Sequence, residues 1–318
     1  MHILSMTYET EKPFVSVVLP TYNRAYILGD AIKSVLGQTY ANLELIVVDD
    51  GSTDNTKEFV QTYTDPRIRY VRHEHNKGLA ASRNTGIREA RGAFVANLDS
   101  DDVWMLQKLE RELAVFSTTA PETGVVYSQY ERTYSNGRIT VFPDVPVPAH
   151  NFQKMLLEVN LISMQMALVK KDVFENAGYF DESIPALQDW EFWIRASAKT
   201  QFVFLPEVLT KGVVLSDSIA NNPEKRLRGR EKIFIKHEEL FKTMPAIYAR
   251  HAFTIGHTNA LRGNLHNALP FLWKAITAQP FHMKYLISFI LAKASSVLGM
   301  PALYKKTLRL QANLKLDM

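Results

Sequence analysis

Apolar positions along the first hundred residues switch repeatedly between two periods. Val15 to Leu19 is a short β-branched run that stops at Pro20, and it predicts a strand. From Arg24 to Leu36 the residues Ile27, Leu28, Ala31, Ile32, Val35 and Leu36 share one helical face. Leu43 to Val48 predicts a second strand, after which Ser52 or Thr53 caps a helix running toward Tyr63. Ile68 to Arg72 reads as a strand, Leu79 to Ala90 as a helix and Phe94 to Leu98 as a strand. Trp104 to Phe116 closes the series with Leu106, Leu109, Leu113 and Phe116 at helical spacing. Such alternation predicts an α/β fold with a mostly parallel sheet flanked by helices. Ligands then bind beyond the carboxyl ends of the strands.

The middle of the chain is richer in strands. Val125 to Tyr130, Ser163 to Val169, Phe202 to Leu205 and Val208 to Leu215 all have strand patterns, and Ser135-Asn136-Gly137 suits a hairpin turn. The stretch from Pro143 to Pro148 reads as a loop. A helix over Leu187 to Ala198 would bury Trp190, Trp193 and Ile194. Beyond Asn221-Asn222-Pro223 the periodicity becomes helical. Phe253 to Leu261 and Leu265 to Ala278 form a helical hairpin that weakly resembles one tetratricopeptide-type unit, too little for a repeat protein. Met283 to Tyr304 is the most apolar segment, but Lys293, Gly299 and Pro301 interrupt it. It suits a surface-lying or packed helix better than a membrane span.

Charge divides the chain in the same place. The net charge is +4 over 318 residues, yet residues 225–318 hold 16 Lys and Arg against 4 Asp and Glu, and residues 1–224 hold 21 against 29. A basic part beside an acidic one points to an anionic partner for the basic part. The expected organisation is a tail over residues 1–13, an α/β domain over 14–222 and a basic helical region over 223–318. Cysteine is absent, which removes disulfides, thiolate ligands and cysteine nucleophiles. Residues 1–13 carry Glu9 and Glu11 and no apolar core, so no secretory signal is expected there and the protein reads as cytoplasmic.

The candidate chemistry sits at two strand ends. Asp99-Ser100-Asp101-Asp102 follows the run Phe94 to Leu98, and Asp49-Asp50-Gly51-Ser52 follows Leu43 to Val48. Clustered carboxylates repel one another unless a cation is present, and oxygen ligands suit Mg²⁺ or Mn²⁺. Neither a Gly-x-Gly-x-x-Gly fingerprint nor a Gly-x-x-x-x-Gly-Lys-Ser/Thr loop occurs. A diphosphate would then be held through a metal on carboxylates. The bland alternatives are turn capping by Asp49 and Asp50, a helix N-cap at Asp189, core roles for Trp104, Trp190 and Trp193, and surface positions for His73 and His75.

Five blocks in this order resemble the family 2 glycosyltransferases, which have the GT-A fold. They are Val15 to Arg24, Val47 to Asp54, Asn76 to Asn84, Leu98 to Asp102, and Gly178 to Glu182 with Gln188 to Arg195. The resemblance covers roughly residues 14–220. It implies a nucleotide-sugar donor (UDP-linked is the first expectation), Mn²⁺ or Mg²⁺, and inversion at the anomeric carbon. Pro20, Thr21, Tyr22 and Asp50 would line the nucleotide, with Arg83 a further candidate on that side. Asp101 matches the principal metal ligand of the Asp-x-Asp signature, and Asp99 a ribose or metal-shell contact. Asp189 matches the catalytic base, although Gln188 and Glu191 replace the outer acids of the commoner Glu-Asp-x-Asp form. The Gln-x-x-Arg-Trp signature of processive members is missing, which favours transfer of a single sugar.

The resemblance implies a glycan or lipid-linked acceptor in cell-surface polysaccharide assembly. Independently of the resemblance, the basic balance beside the apolar stretch Tyr285 to Leu291 suits peripheral contact of residues 223–318 with anionic lipid at the inner face of the membrane. Nucleic acid is not expected as a partner, and the competing expectation is that the same helices pack on the catalytic domain or pair two subunits. Two other functions stand against a transferase. A sugar nucleotidyltransferase would carry a glycine-rich basic loop where Thr21-Tyr22-Asn23-Arg24 stands. A degenerate domain acting as a binding module would tend to lose Asp50, Asp99, Asp101 or Asp189, and all four are present.

Overall fold

The computed structural model describes residues 12–144, 152–214 and 222–306. Most of the expected tail, most of the Pro143–Pro148 loop and Leu215 lie outside them. The chain divides into two compact units. One holds the sheet and its helices, through Ser183 and again from Gln188; the other holds Ile184–Leu187 and the C-terminal helices.

In the first unit the elements run β1 (Val15–Thr21), α1 (Leu28–Leu36), β2 (Leu43–Asp49), α2 (Thr56–Gln61), β3 (Ile68–Arg72), α3 (Leu79–Glu89) and β4 (Phe94–Asn97). Then come β5 (Asp102–Trp104), α4 (Lys108–Thr118), β6 (Thr123–Thr133), β7 (Ile139–Phe142), α5 (Phe152–Glu158), β8 (Ala167–Lys170), α6 (Lys171–Ala177), α7 (Gln188–Ala196) and β9 (Gln201–Val213). The strands form one sheet in the order β3-β2-β1-β4-β8-β6-β9-β5, with β7 paired to β6. Strands β3, β2, β1 and β4 are parallel, as their alternation with helices requires. Antiparallel β8 then joins them to β6, and β5 and β7 are also antiparallel to their neighbours. Every residue of β1 and β2 is buried, so these strands read as continuous apolar runs. Apolar cores lie on both faces. One gathers Val18, Ile46, Val95, Phe174, Phe192 and Trp193; the other gathers Val17, Leu45, Leu28, Ile32 and Leu109.

Several boundaries differ from the periodicity. Strand β1 runs through Pro20 to Thr21, because Pro20 lies past the last pairing with β4, Val18 opposite Asn97, where a missing N–H removes no ladder bond. The expected helix over Trp104–Phe116 starts only at Lys108. Asp102–Trp104 is instead strand β5 on β9, held by the buried Trp104 ring, whose Nε1 donates to the Gln165 carbonyl at 3.2 Å. Ser163–Val169 begins as a 3₁₀ turn over Met164–Met166 and becomes strand only at Ala167. The two runs at 202–205 and 208–215 are one strand, β9, whose register on β6 shifts at three places. Leu187 has φ 67°, outside helical space, so α7 begins at Gln188.

The second unit is helical: α8 (Pro223–Lys236), α9 (Glu238–Lys242), α10 (Pro245–Leu261), α11 (Leu265–Ala278) and α12 (Met283–Val297). Asn222 caps α8 by accepting from the N–H groups of Glu224 and Lys225, with Pro223 in the first turn. Phe234, Phe241, Tyr248 and Phe271 form its aromatic centre. The hairpin of α10 and α11 closes because Gly256 brings the helices together; a Cβ there would lie 2.8 Å from the Leu272 side chain.

Candidate active site

The carboxyl ends of β1, β2 and β4 carry the polar loops. Thr21 sits opposite Asp49 in the ladder, and the Asp50 N–H donates to the Thr21 carbonyl at 2.9 Å. Asp49 is fully buried and occupied. It accepts from the Ser52 N–H at 2.8 Å and from the Tyr70 hydroxyl at 2.5 Å. Its capping of the following turn is real. Asp50 is buried too. Its Oδ1 lies 2.7 Å from His73 Nδ1 and accepts from the Lys77 N–H at 2.9 Å, while Oδ2 accepts from the Gly78 N–H at 2.8 Å. Asp50 thus fastens the 73–78 segment to the end of β2. His73, expected at the surface, is buried here, with its Nε2 2.9 Å from Thr85 Oγ1.

Asn23 ties the first loop to the second. Its φ of 52° turns the chain, and its Oδ1 accepts from the Thr53 N–H at 2.8 Å. Gly51 is required beside it: φ is 78°, and a Cβ would meet the His75 backbone at 2.8 Å. Pro20 and Thr21 are buried at this loop, and Tyr22 is exposed.

Helix α3 lays a basic side chain across the sheet end. Arg83 is buried, and its Nη2 donates to Asp99 Oδ1 at 2.6 Å. One position on, Asn84 donates to the Phe180 carbonyl at 3.0 Å and to Glu182 at 2.8 Å, and accepts from the Phe180 N–H at 2.9 Å. Arg195 on α7 grips the same segment through the carbonyls of Ala177, Gly178 and Tyr179 and is itself held by buried Glu191. Glu191 is therefore a structural partner of Arg195.

Asp189, in the first turn of α7, accepts from its neighbour's backbone, the Trp190 N–H at 2.8 Å, and from Asn160 Nδ2 at 3.1 Å. Burial pushes its carboxyl above the usual carboxylate range; the Arg83 guanidinium pulls it down and Asp99 pushes it up. Arg83, Asp99 and Asp189 therefore act on one another, though they are far apart in sequence. Asp101 is half-buried in the tight turn closed by the Asp102 N–H to the Asp99 carbonyl at 3.1 Å. Asp102 is buried behind it. Burial, then Asp99 and Asp101, push its carboxyl well up, and Tyr130 donates to it at 2.5 Å. This carboxyl ties β5 to β6 through Tyr130.

Among the described residues six buried side-chain atoms lack a hydrogen-bond partner: Thr21 Oγ1, Arg83 Nε, both amide atoms of Asn97, Asn160 Oδ1 and Ser295 Oγ. All but Ser295 belong to residues at strand ends or beside Asp99 and Asp189. Orphaned buried polar atoms are rare and call for a partner. Asn97 was visible in the sequence as the one amide in an apolar strand. Asn160 had no sequence signal. Trp104, Trp190 and Trp193 are core anchors: the Nε1 atoms of the latter two donate to the Leu156 and Ile162 carbonyls at 2.5 and 2.8 Å.

Among the described residues no three His, Asp or Glu side chains converge into a metal cage. The donor set still fits a hard divalent cation. Mg²⁺ in particular is usually held by one or two carboxylates plus substrate phosphates, and Asp99 and Asp101 offer two such carboxylates beyond the carboxyl end of β4.

Residues 16–178 match glycosyl transferase family 2. An uncharacterized glycosyltransferase of Rickettsia felis is 31% identical over 205 residues, which is 63% of this chain but 34% of that protein. The UDP-Glc:alpha-D-GlcNAc-diphosphoundecaprenol beta-1,3-glucosyltransferase WfgD of Escherichia coli is 41% identical over 128 residues, 40% of this chain and 50% of WfgD. The putative colanic acid biosynthesis glycosyl transferase WcaA of E. coli K12 is 28% identical over 244 residues, 72% of this chain and 83% of WcaA. Among solved structures, S. aureus TarS 1-349 superposes with a TM-score of 0.65 at 20% identity, covering 93% of this chain and 91% of that one. The mannosyltransferase PcManGT of Pyrobaculum calidifontis, in complex with GDP-Man and Mn²⁺, gives 0.59 at 21% identity, covering 93% and 86%. These two likenesses show a shared fold.

Proposed function

The chain belongs to glycosyl transferase family 2, and from that membership we propose that it moves a single sugar, with inversion, from a nucleotide-sugar donor to a hydroxyl of a glycan or lipid-linked acceptor. A UDP-sugar is the proposed donor, and cell-surface polysaccharide assembly at the cytoplasmic side the proposed setting. The observation that carries the reading is the set of orphaned polar atoms on Arg83, which pairs with Asp99, and on Asn160, which donates to Asp189, with those of Thr21 and Asn97 at the ends of β1 and β4.

The roles follow from the chemistry. Pro20, Thr21, Tyr22 and Asp50 form the nucleotide end of the site, with Asp50 shaping the 73–78 segment from below. Arg83 neutralises negative charge between Asp99 and the donor. Asp189 receives the proton of the acceptor hydroxyl as its oxygen bonds to the anomeric carbon. The bond from that carbon to the diphosphate breaks, and its electron pair leaves with the nucleoside diphosphate. A hydroxyl is a poor nucleophile at neutral pH, so a base at that point accelerates the step. Burial suits Asp189 to the task by raising its proton affinity. Asp101, with Asp99, would hold Mn²⁺ or Mg²⁺, which when bound supplies Lewis-acid stabilisation of the departing diphosphate.

The test is isothermal titration with UDP and GDP in the presence of Mn²⁺, followed by donor hydrolysis on a panel of nucleotide sugars. One diphosphate should bind in a metal-dependent manner, and Asp101→Asn should abolish both binding enhancement by Mn²⁺ and turnover while leaving the thermal midpoint unchanged. Full turnover in excess EDTA would remove the metal from the reading, and absence of any nucleotide binding would remove the transferase.

A further inference from the structure

Helix α12 is built the wrong way round for a helix of a water-soluble surface. Its buried positions are Tyr285, Ser288, Ala292 and Ser295. Its exposed positions include Met283, Ile287, Ile290, Ala294 and Val297. At about 100° per residue these five fall in one stripe directly opposite the buried face. Ile290 is 54% and Val297 80% exposed. An ordinary surface helix turns its large aliphatic residues inward and its small polar ones outward.

The charges around the stripe are ordered as well. Lys284 and Lys293, both exposed, stand on its two opposite rims. The Lys293 rim carries an aromatic pair: the half-exposed Trp273 of α11 lies 5.4 Å from Phe289 between ring centroids. Phe281, in the turn that leads into α12, is 97% exposed. Residues 245–306 contain seven Lys and Arg and no Asp or Glu. No helix here is long and apolar enough to cross a membrane among the described residues. The 15 residues of α12 extend about 22 Å, short of the roughly 30 Å hydrocarbon core.

We infer that the exposed stripe of α12, with Trp273 and Phe281, is a docking surface for an anionic lipid bilayer, on which the helix lies in the plane of the headgroups. An apolar stripe rimmed by lysines, without acidic residues and with aromatic side chains at its margin, is the arrangement such a surface selects. The Lys284 and Lys293 ammonium groups lie over the Phe253 and Phe289 rings at 5.1 and 6.0 Å, and on a bilayer their stems are long enough to swing these groups to the phosphates. A second copy of the chain fits less well. Two such faces together would bring lysine rims against lysine rims with no carboxylate in residues 245–306 to pair them. The docking does not depend on sugar transfer.

The experiment is flotation of the full chain with vesicles of phosphatidylcholine alone and of phosphatidylcholine with phosphatidylglycerol. The wild type should float with the anionic vesicles at low salt, more weakly at high salt, and should show a blue shift of tryptophan emission that Trp273→Phe removes. The double variant Ile290→Glu/Val297→Glu, altered only at exposed positions, should keep its thermal midpoint and its nucleoside diphosphate binding while its partition falls at least tenfold. The inference is overturned if the wild type stays unbound at low salt or if the double variant floats equally well. It is overturned too if light scattering shows a dimer that the double variant dissolves while vesicles leave the wild type unbound; the stripe is then a seam between copies.

Discussion

Asp189, the proposed base, is one carboxyl whose surroundings pull it in opposite directions. Burial raises its proton affinity, Arg83 lowers it, and Asp99 raises it. Replacing it by Asn preserves an oxygen that accepts from Trp190 and Asn160, so the start of α7 is retained. Turnover of Asp189→Asn is expected to fall by about 10²–10⁴-fold with nucleotide affinity nearly unchanged; normal turnover would leave Asp189 as a helix-capping residue alone. The pH profile gives a second check. As the proposed base, Asp189 must be ionised to accept the acceptor's proton, so log kcat/KM should rise with pH through its ionisation. That limb should lie above the ordinary aspartate value of about 3.9 and be missing in Asp189→Asn. For stability the sign is opposite to that of a salt-bridged acid. The folded state holds this proton more tightly than the unfolded chain, so the carboxyl's contribution declines as pH rises from the unfolded value through the folded one.

Helix α4 carries a fully buried ion pair, Lys108 with Glu112, at 2.5 and 2.6 Å. Burial lowers the Lys108 ammonium and raises the Glu112 carboxyl, and each partner's charge opposes that shift in the other. The pair is completed by the Ser128 hydroxyl, which donates to Glu112 at 3.0 Å. Glu112→Ala strands the ammonium and is expected to cost about 3–5 kcal/mol in chemical denaturation. Lys108→Met/Glu112→Leu should recover most of that loss, because no charge is then left buried. Strand pairing beside the site has a comparable weak point. A Cβ on Gly212 of β9 would lie 1.8 Å from Asp102 Oδ1 and 2.1 Å from the Tyr130 hydroxyl. Gly212→Ala should therefore push β5 off β9 and lower the thermal midpoint, with a cost of about 1–3 kcal/mol. An unchanged midpoint would show that the Asp102–Tyr130 contact yields without loss.

Across the molecule, nucleotide binding should be readable in stability. A ligand that binds only the folded state at a hundred times its Kd contributes about 2.7 kcal/mol. For the sheet-bearing unit this corresponds to a rise of several degrees in the unfolding midpoint, at about 2–4 °C per kcal/mol. The rise should appear with UDP and Mn²⁺ together and shrink when Mn²⁺ is chelated. A midpoint indifferent to saturating UDP and GDP would argue that the orphaned atoms around Arg83 have another partner.

Local pattern carried much of this protein. The parallel arrangement of β1 to β4 was legible because strands buried on both faces need continuous apolar runs, and helices between them need a 3.6-residue period; their order β3-β2-β1-β4 was not. The family blocks were legible because their residues are local. Val47 to Asp54 and Leu98 to Asp102 are each one strand and its exit. Tertiary structure decided what those residues do to one another. That Asp50 is spent on His73 and the 73–78 backbone, that Arg83 pairs with Asp99, and that Asn84 and Arg195 grip the 177–182 segment all depend on side chains 16 to 98 positions apart. Strand β5 was misread for the same reason: Trp104 has helical neighbours in sequence, but its indole is drawn to a carbonyl 61 residues away. The inverted face of α12 was equally hidden. Periodicity shows two faces of a helix, and only packing determines which of them is turned inward.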